Sequence, residues 1–223
     1  MNKTFPNIQK SNNKVNYYQQ SIDEIERIKQ SNHRPTLLLH ACCAPCAAFP
    51  IEFLSETFDC TIYYNNSNIY PSTEYHRRLD ELKRYLVEVN HSLKHEVKLI
   101  ECIYDNDAYT KILEPLQDKP EGGERCFLCY TKRMKESFEY ASKNNYEYFT
   151  TVMTISRQKD SQKINEIGTS LQALYPTTKY FHSDFKKKKG IDRGRELSTE
   201  HNLYRQQYCG CIYSYQEYLK RKV

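Results

Sequence analysis

The chain has 223 residues, enough to bury one sizeable core, so a stapled mini-protein is excluded. Of these residues 27% are charged and 39% hydrophobic, the formal net charge is +5, and no stretch approaches the roughly 18 apolar residues of a membrane span. The opening MNKTFPNIQKSNNKVNYYQQ carries no apolar run behind its lysine, so it lacks the centre of a secretory signal and predicts a cytoplasmic protein.

Residues 1–20, rich in Asn and Gln, read as a flexible arm, with residues 21–223 as a single folded domain. Ser21 followed by Glu24 has capping-box spacing, and Ile22, Ile25 and Ile28 recur on one side, which predicts a helix over 21–31. TLLLH at 36–40 suits a buried strand, and the cysteine-rich turn at 41–46 leads into helical AAFPIEFLSET despite Pro50. Strands are then predicted over 60–67, 96–104 and 146–153, and helices over 72–89, 126–144 and 161–174. This alternation predicts an α/β fold with a mainly parallel sheet covered by helices on both faces. Beyond Pro176 the pattern becomes irregular and basic until a last helix over 213–222.

Charge is uneven. Residues 179–223 hold eleven Lys or Arg against five Asp or Glu, a net of +6, while the preceding residues sum to −1. There Lys186, Lys187, Lys188, Lys189, Arg193, Arg195 and Arg205 lie among Tyr180, Phe181, Phe185 and Tyr204, a mixture suited to a phosphate backbone with bases stacked on rings. The plainer alternative is a solvated lysine loop.

Seven of the nine cysteines fall in three clusters, which asks for metal or redox chemistry. HACCAPC places Cys42, Cys43 and Cys46 between a strand end and a helix start, where exposed amides favour anionic groups. Adjacent side chains on a strand point to opposite faces, so Cys42 and Cys43 share a centre only if the chain is already turning. Cys126 and Cys129 are spaced to fall on one side of a helical turn. Two adjacent cysteines plus C-x2-C make four thiolates, the set for either a [4Fe-4S] cubane or a tetrahedral zinc. In Cys209-Gly-Cys211 one glycine permits a strained, labile bridge suited to redox work; additional metal ligands or inert thiols are the alternatives. Cys60 and Cys102 read as small buried hydrophobes. His40 and Asp160 lie near predicted strand ends and could reach the site, but each reads equally as a hydrogen-bonded structural residue; with Tyr204 they are the proton candidates for the chemistry implied below.

HACCAPC after a short strand, ERCFLC opening a helix and the terminal LYRQQYCGCIYS together resemble the epoxyqueuosine reductase QueH family, in order and spacing over about residues 34–219. The resemblance implies an oxidoreductase that reduces the epoxide of the wobble base epoxyqueuosine in tRNA to queuosine, drawing on an electron donor of unspecified identity. It implies that Cys42, Cys43, Cys126 and Cys129 bind a [4Fe-4S] cluster and that Cys209 and Cys211 form a redox-active disulfide. It also implies a second metal ion, iron or another, for which Cys46 is the candidate ligand; similar members carry Asp there. The fold implied is a Rossmann-like, HUP-type sheet, without the Ser-Gly-Gly phosphate loop of related ATP-pyrophosphatases. A non-catalytic, zinc-stabilised RNA-binding protein is the alternative that four thiolates and a basic tail also satisfy.

Overall fold

Four consecutive buried residues in Thr36–His40 (β1) can be accommodated only by a strand covered on both faces: Leu37 and Leu39 enter one core, Leu38 the other. The computed structural model describes residues 14–222. Asp59–Tyr64 (β2), Lys98–Glu101 (β3), Tyr148–Thr151 (β4) and Lys179–Tyr180 (β5) join β1 in an all-parallel sheet of order β3-β2-β1-β4-β5. The order reverses between β1 and β4, and at such a switch point the carboxyl ends of the strands open a crevice for ligands.

Helices cover both faces, as the alternating pattern predicts. Tyr17–Gln30 (α1), Ala44–Leu54 (α2), Ser72–Asn90 (α3) and Gly190–Glu200 (α7) pack on the Leu37 and Leu39 face. Glu124–Lys143 (α5) and Ser161–Gln172 (α6) pack on the Leu38 face. Asn106–Leu113 (α4) meets α5 at a small cluster of Tyr109, Leu113 and Cys129, and Ile212–Lys220 (α8) ends the chain. Among the described residues no helix is long and apolar enough to cross a membrane.

The structure corrects three expectations. The first helix starts at Tyr17 and not at Ser21: Asn16 Oδ1 caps the Gln19 amide, while Ser21 is buried inside the helix and donates back to the Tyr18 carbonyl. Helical structure therefore takes over residues 17–20 of the expected arm; residues 1–13 lie outside the described residues. The segment after Pro176 is not irregular throughout, because α7 occupies Gly190–Glu200. Gly190 permits close packing there: a Cβ on it would lie 2.1 Å from the Phe185 carbonyl and 2.6 Å from the Phe49 ring. The sequence reading also passed over α4, which Asp105 caps through the Ala108 amide at 3.0 Å.

Glu24 fastens α1 to the sheet. Its carboxylate accepts from Arg27 and Lys179, both at 2.7 Å, and from the Tyr148 hydroxyl. Burial alone would raise its pKa, but these three donors outweigh burial and hold it at about 2 against an ordinary 4.5. A depressed carboxyl contributes stability above its unfolded value and loses it as pH falls through the folded one, so this contribution disappears between about pH 5 and pH 2. Glu24→Gln should cost ~1–2 kcal/mol at neutral pH, after allowance for its partial exposure, and should flatten the acid limb of a urea-midpoint profile. Parallel acid limbs for both proteins would contradict this.

Candidate metal and thiol site

The first cysteine cluster lies where β1 ends. The Ala41 amide still donates to the Tyr63 carbonyl of β2 at 3.2 Å, and the Ala41 carbonyl accepts from Asn66 Nδ2 at 2.8 Å. The chain then turns: Cys43 is extended and caps α2, with Pro45 in its first turn. That turn meets the condition the sequence set for two adjacent cysteines. Cys42 and Cys43 sulfurs stand 4.0 Å apart, and those of Cys42, Cys43 and Cys46 all lie within 4.8 Å of one another, a spacing that could hold one metal ion. Hydrogen bonds from Cys43 and Cys46, helped by the charges of Arg133 and Lys159, hold Cys42 well below the usual thiol range. Cys43 is driven upward by its bonding to Cys42, and Cys46 is pushed up to about 12 by the same bonding and by burial. Ionisation of the trio thus falls first on Cys42.

The second cluster opens α5. Cys126 accepts from the Gly122 amide at 3.2 Å, and Cys129 from the Tyr109 hydroxyl at 3.3 Å. Burial pushes Cys129 up to about 11, against the opposing charge of Arg133. Cys126, Cys129 and Arg133 stand at i, i+3 and i+7 and share one helix face. Both cysteines also feel Cys209 and Cys211 electrostatically, so the third cluster lies beside the second.

The third cluster is set by a buried arginine. Arg78 of α3 donates to the Cys209 carbonyl at 3.0 Å and the Tyr208 carbonyl at 3.1 Å, and its Nε pairs with Glu74 at 2.7 Å. Gly210 has φ +134°, a conformation side chains rarely adopt, and a Cβ there would approach Arg78 Nη1 to 3.1 Å. Cys209 and Cys211 are half-buried free thiols, and Cys211 caps α8 by accepting from the Ser214 amide at 3.5 Å.

Two cations lie among these thiols. Arg133, 2% exposed, donates to Asn66 Oδ1 at 2.6 Å, and its Nε has no hydrogen-bond partner. Burial opposes its charge, but Cys129, Cys42, Tyr109 and Cys209 hold its pKa above the ordinary value. Lys159 likewise keeps its proton against burial through Cys209, Cys42, Tyr130 and Cys46. A buried guanidinium with an orphaned nitrogen, facing thiols from three clusters, fits an anionic thiolate-ligated metal group and would be costly without one.

The other residues singled out from sequence have structural partners. His40 is buried between Thr151 Oγ1 at 2.8 Å and the Asn65 carbonyl at 3.3 Å, and burial lowers its pKa to about 3, so it is neutral. Asp160 caps α6, and the Tyr204 hydroxyl donates to Glu74 at 3.0 Å. Tyr180, Phe181 and Phe185 are core residues at 1%, 1% and 3% exposure, which removes them as stacking platforms for bases. Arg193 is held by Glu52, Glu196 and Glu200. Lys186 donates to the Lys159 carbonyl at 2.9 Å, leaving Lys187, Lys188 and Lys189 exposed. The sequence reading missed Arg133, Lys159, Arg78 and Gln206, whose Nε2 reaches the Cys43 sulfur at 3.1 Å and the Cys46 sulfur at 3.8 Å. The helical register from Cys126 would have found Arg133; Lys159 has no local signal.

A parallel α/β sheet that gathers thiols and buried cations at its carboxyl edge, three of the thiols close enough for one ion, defines a protein of metal-dependent or redox chemistry. A family model described as epoxyqueuosine reductase QueH matches residues 37–217, and the chain belongs to that family. It is 38% identical over 203 residues to the epoxyqueuosine reductase QueH of Streptococcus pyogenes serotype M1, covering 91% of this chain and 79% of the relative. The Staphylococcus epidermidis protein of the same name is 38% identical over 205 residues, covering 91% and 86%, and that of Thermotoga maritima 30% over 182 residues, covering 80% and 90%.

Arg78→Met would strip the donors from the Tyr208 and Cys209 carbonyls and leave Glu74 unpaired, at a cost of ~3–5 kcal/mol for breaking a buried pair. Alkylation of Cys209 and Cys211, followed by mass spectrometry on the folded protein, should accelerate on the order of tenfold as this turn opens locally. Unchanged labelling would mean that Arg78 does not hold the turn.

Proposed function

We propose that this protein reduces the epoxide of epoxyqueuosine in tRNA to the alkene of queuosine, with Cys42, Cys43, Cys126 and Cys129 as ligands of a [4Fe-4S] cluster and Cys209 and Cys211 as a redox-active pair. The observation that carries the reading is Arg133, whose guanidinium interacts with one cysteine from each cluster, Cys42, Cys129 and Cys209. Four thiolates around a single zinc would stand less than ~4 Å apart. Among the described residues Cys126 and Cys129 do not join the Cys42 trio within 4.8 Å, which supports a polynuclear centre spanning the two clusters over a zinc knot. Cys46, beside Cys42 and Cys43, is the candidate ligand for a second metal, iron or another. A bound cluster supplies electrons one at a time, and an open metal position polarises an oxygen.

The chain's own residues account for the rest. Loss of the epoxide oxygen as water takes two electrons and two protons; Cys209 and Cys211 as thiols hold both pairs, and closing their disulfide leaves alkene and water in balance. An external donor then returns the pair to thiols. Arg133 and Lys159 hold negative charge at the site, while His40, neutral and bonded on both ring nitrogens, keeps the β1 edge in place. A tRNA substrate implies work in the cytoplasm.

Replacing any one of Cys42, Cys43, Cys126 or Cys129 by Ala should remove most of the iron and bleach the visible absorption of anaerobically purified protein. Colourless, zinc-loaded wild type would point instead to a non-catalytic RNA-binding module. Two of the four substitutions leaving iron unchanged would break the ligand assignment.

Cys209→Ser and Cys211→Ser should leave iron content and thermal stability near wild type, since so short a ring restrains little chain entropy, while epoxide reduction collapses. A double serine variant that reduces modified tRNA at the normal rate would make the pair dispensable. Lost iron would make the two cysteines ligands.

A further inference from the structure

A cavity of about 210 Å³ opens on Cys46, between α2, the loop after β4 and α7. Three guanidiniums surround it, those of Arg157, Arg195 and Arg205, and no carboxylate lines it. Arg157 and Arg205 are exposed and pair with no acidic side chain among the described residues; Arg195 has only Asp192 at 3.8 Å. This contrasts with Arg193, two residues before Arg195 on α7 and outside the cavity, which three glutamates neutralise. Gln206 forms the floor. Its Nε2 is committed to the thiols of Cys43 and Cys46, and its buried Oε1 has no partner.

We infer that Arg157, Arg195 and Arg205 form a phosphodiester subsite that seats the RNA backbone next to the substrate nucleoside, at the threshold of the thiol site. The inference rests on the tRNA reading given above and deepens it. Arginine forks match the paired oxygens of a phosphodiester, and unpaired guanidiniums converging without a carboxylate leave a positive field that only an anion satisfies. The volume lies below the ~300–1,000 Å³ of pockets that enclose a whole drug-sized ligand, so it suits a phosphate group and not a base or cofactor. Its place beside Cys46 sets the distance: a phosphate held there is adjacent, along the chain, to the base being reduced. Lys187, Lys188 and Lys189 sit in an exposed turn outside this cavity and provide the diffuse, sequence-independent attraction.

The test uses the full-length protein and tRNA carrying epoxyqueuosine, with binding measured against salt and by phosphate-ethylation interference. In wild type, ethylation of a phosphate flanking the modified nucleoside should block binding. In Arg157→Gln/Arg205→Gln that local interference should vanish, affinity should fall about tenfold, and the slope of log K against log salt should shrink by about 0.7 to 1.4, one or two phosphate contacts on a single strand. Lys187→Gln/Lys188→Gln/Lys189→Gln should weaken binding while keeping the local interference. Arg157→Lys/Arg205→Lys, which keeps the charge and loses the fork, should keep the slope and lose affinity. A double glutamine variant with the wild-type slope and interference pattern overturns the subsite alone. A wild type that does not bind tRNA overturns the substrate reading and the subsite with it.

Discussion

The carboxyl edge of the sheet is organised around one buried charge. Arg133 is almost wholly removed from water, makes a hydrogen bond to a neutral amide and leaves its Nε unpaired. Burying a cation costs several kcal/mol unless an opposite charge answers it, and the thiols of Cys129, Cys42 and Cys209, with the Tyr109 hydroxyl, are placed to do so. The same contact shapes the backbone. Asn66, which accepts from Arg133, donates to the Ala41 carbonyl, and this carbonyl belongs to the turn that brings Cys42 and Cys43 to 4.0 Å. Charge compensation and cysteine geometry are therefore one construction, and a substitution at Arg133 would disturb both.

The C-terminal segment is built into this construction. Arg78 fixes the Cys209 turn from α3, Tyr204 donates to the same Glu74 that pairs with Arg78, and Tyr208 donates to the Tyr70 carbonyl. On the opposite side α7 lies against α2, the helix that carries Cys46, and delivers Gln206 onto the first thiol cluster. A glycine turn held at its carbonyls fixes the approach of Cys209 and Cys211 to the second cluster without a disulfide between them.

Much of the fold could be read from the chain because its signals are local. The apolar TLLLH, the C-x2-C at a helix start and the alternation of strand and helix all follow from periodicity over a few residues. The missed pieces are those decided by tertiary contact. α7 falls in a stretch that reads as irregular, and Gly190 is needed there because the Phe49 ring lies against it. Tyr180, Phe181 and Phe185 look like base-stacking rings in a basic tail, yet Tyr180 on β5 and the two phenylalanines after it pack into the core. The three cysteine clusters were legible from spacing; Lys159 and Arg78 were not, because nothing in sequence says that a lysine after β4 or an arginine on α3 faces cysteines on other elements.

The thiol trio also fixes the order in which charge can enter the site. Of three neighbouring sulfurs, Cys42 is held well below the usual thiol range by its bonds from Cys43 and Cys46, while bonding to Cys42 and burial push Cys46 up to about 12. Arg133 and Lys159 together can stabilise that first thiolate, but a second beside it meets its repulsion at short range. A metal ion held by the trio would therefore displace protons from Cys43 and Cys46, and its affinity would rise with pH. Gln206 fits this sequence: its amide donates to Cys43 and Cys46, the two sulfurs still protonated, and a hydrogen bond to sulfur strengthens as negative charge grows there. The residue that floors the arginine cavity thus also contacts Cys43 and Cys46, so cavity and thiol trio share one side chain.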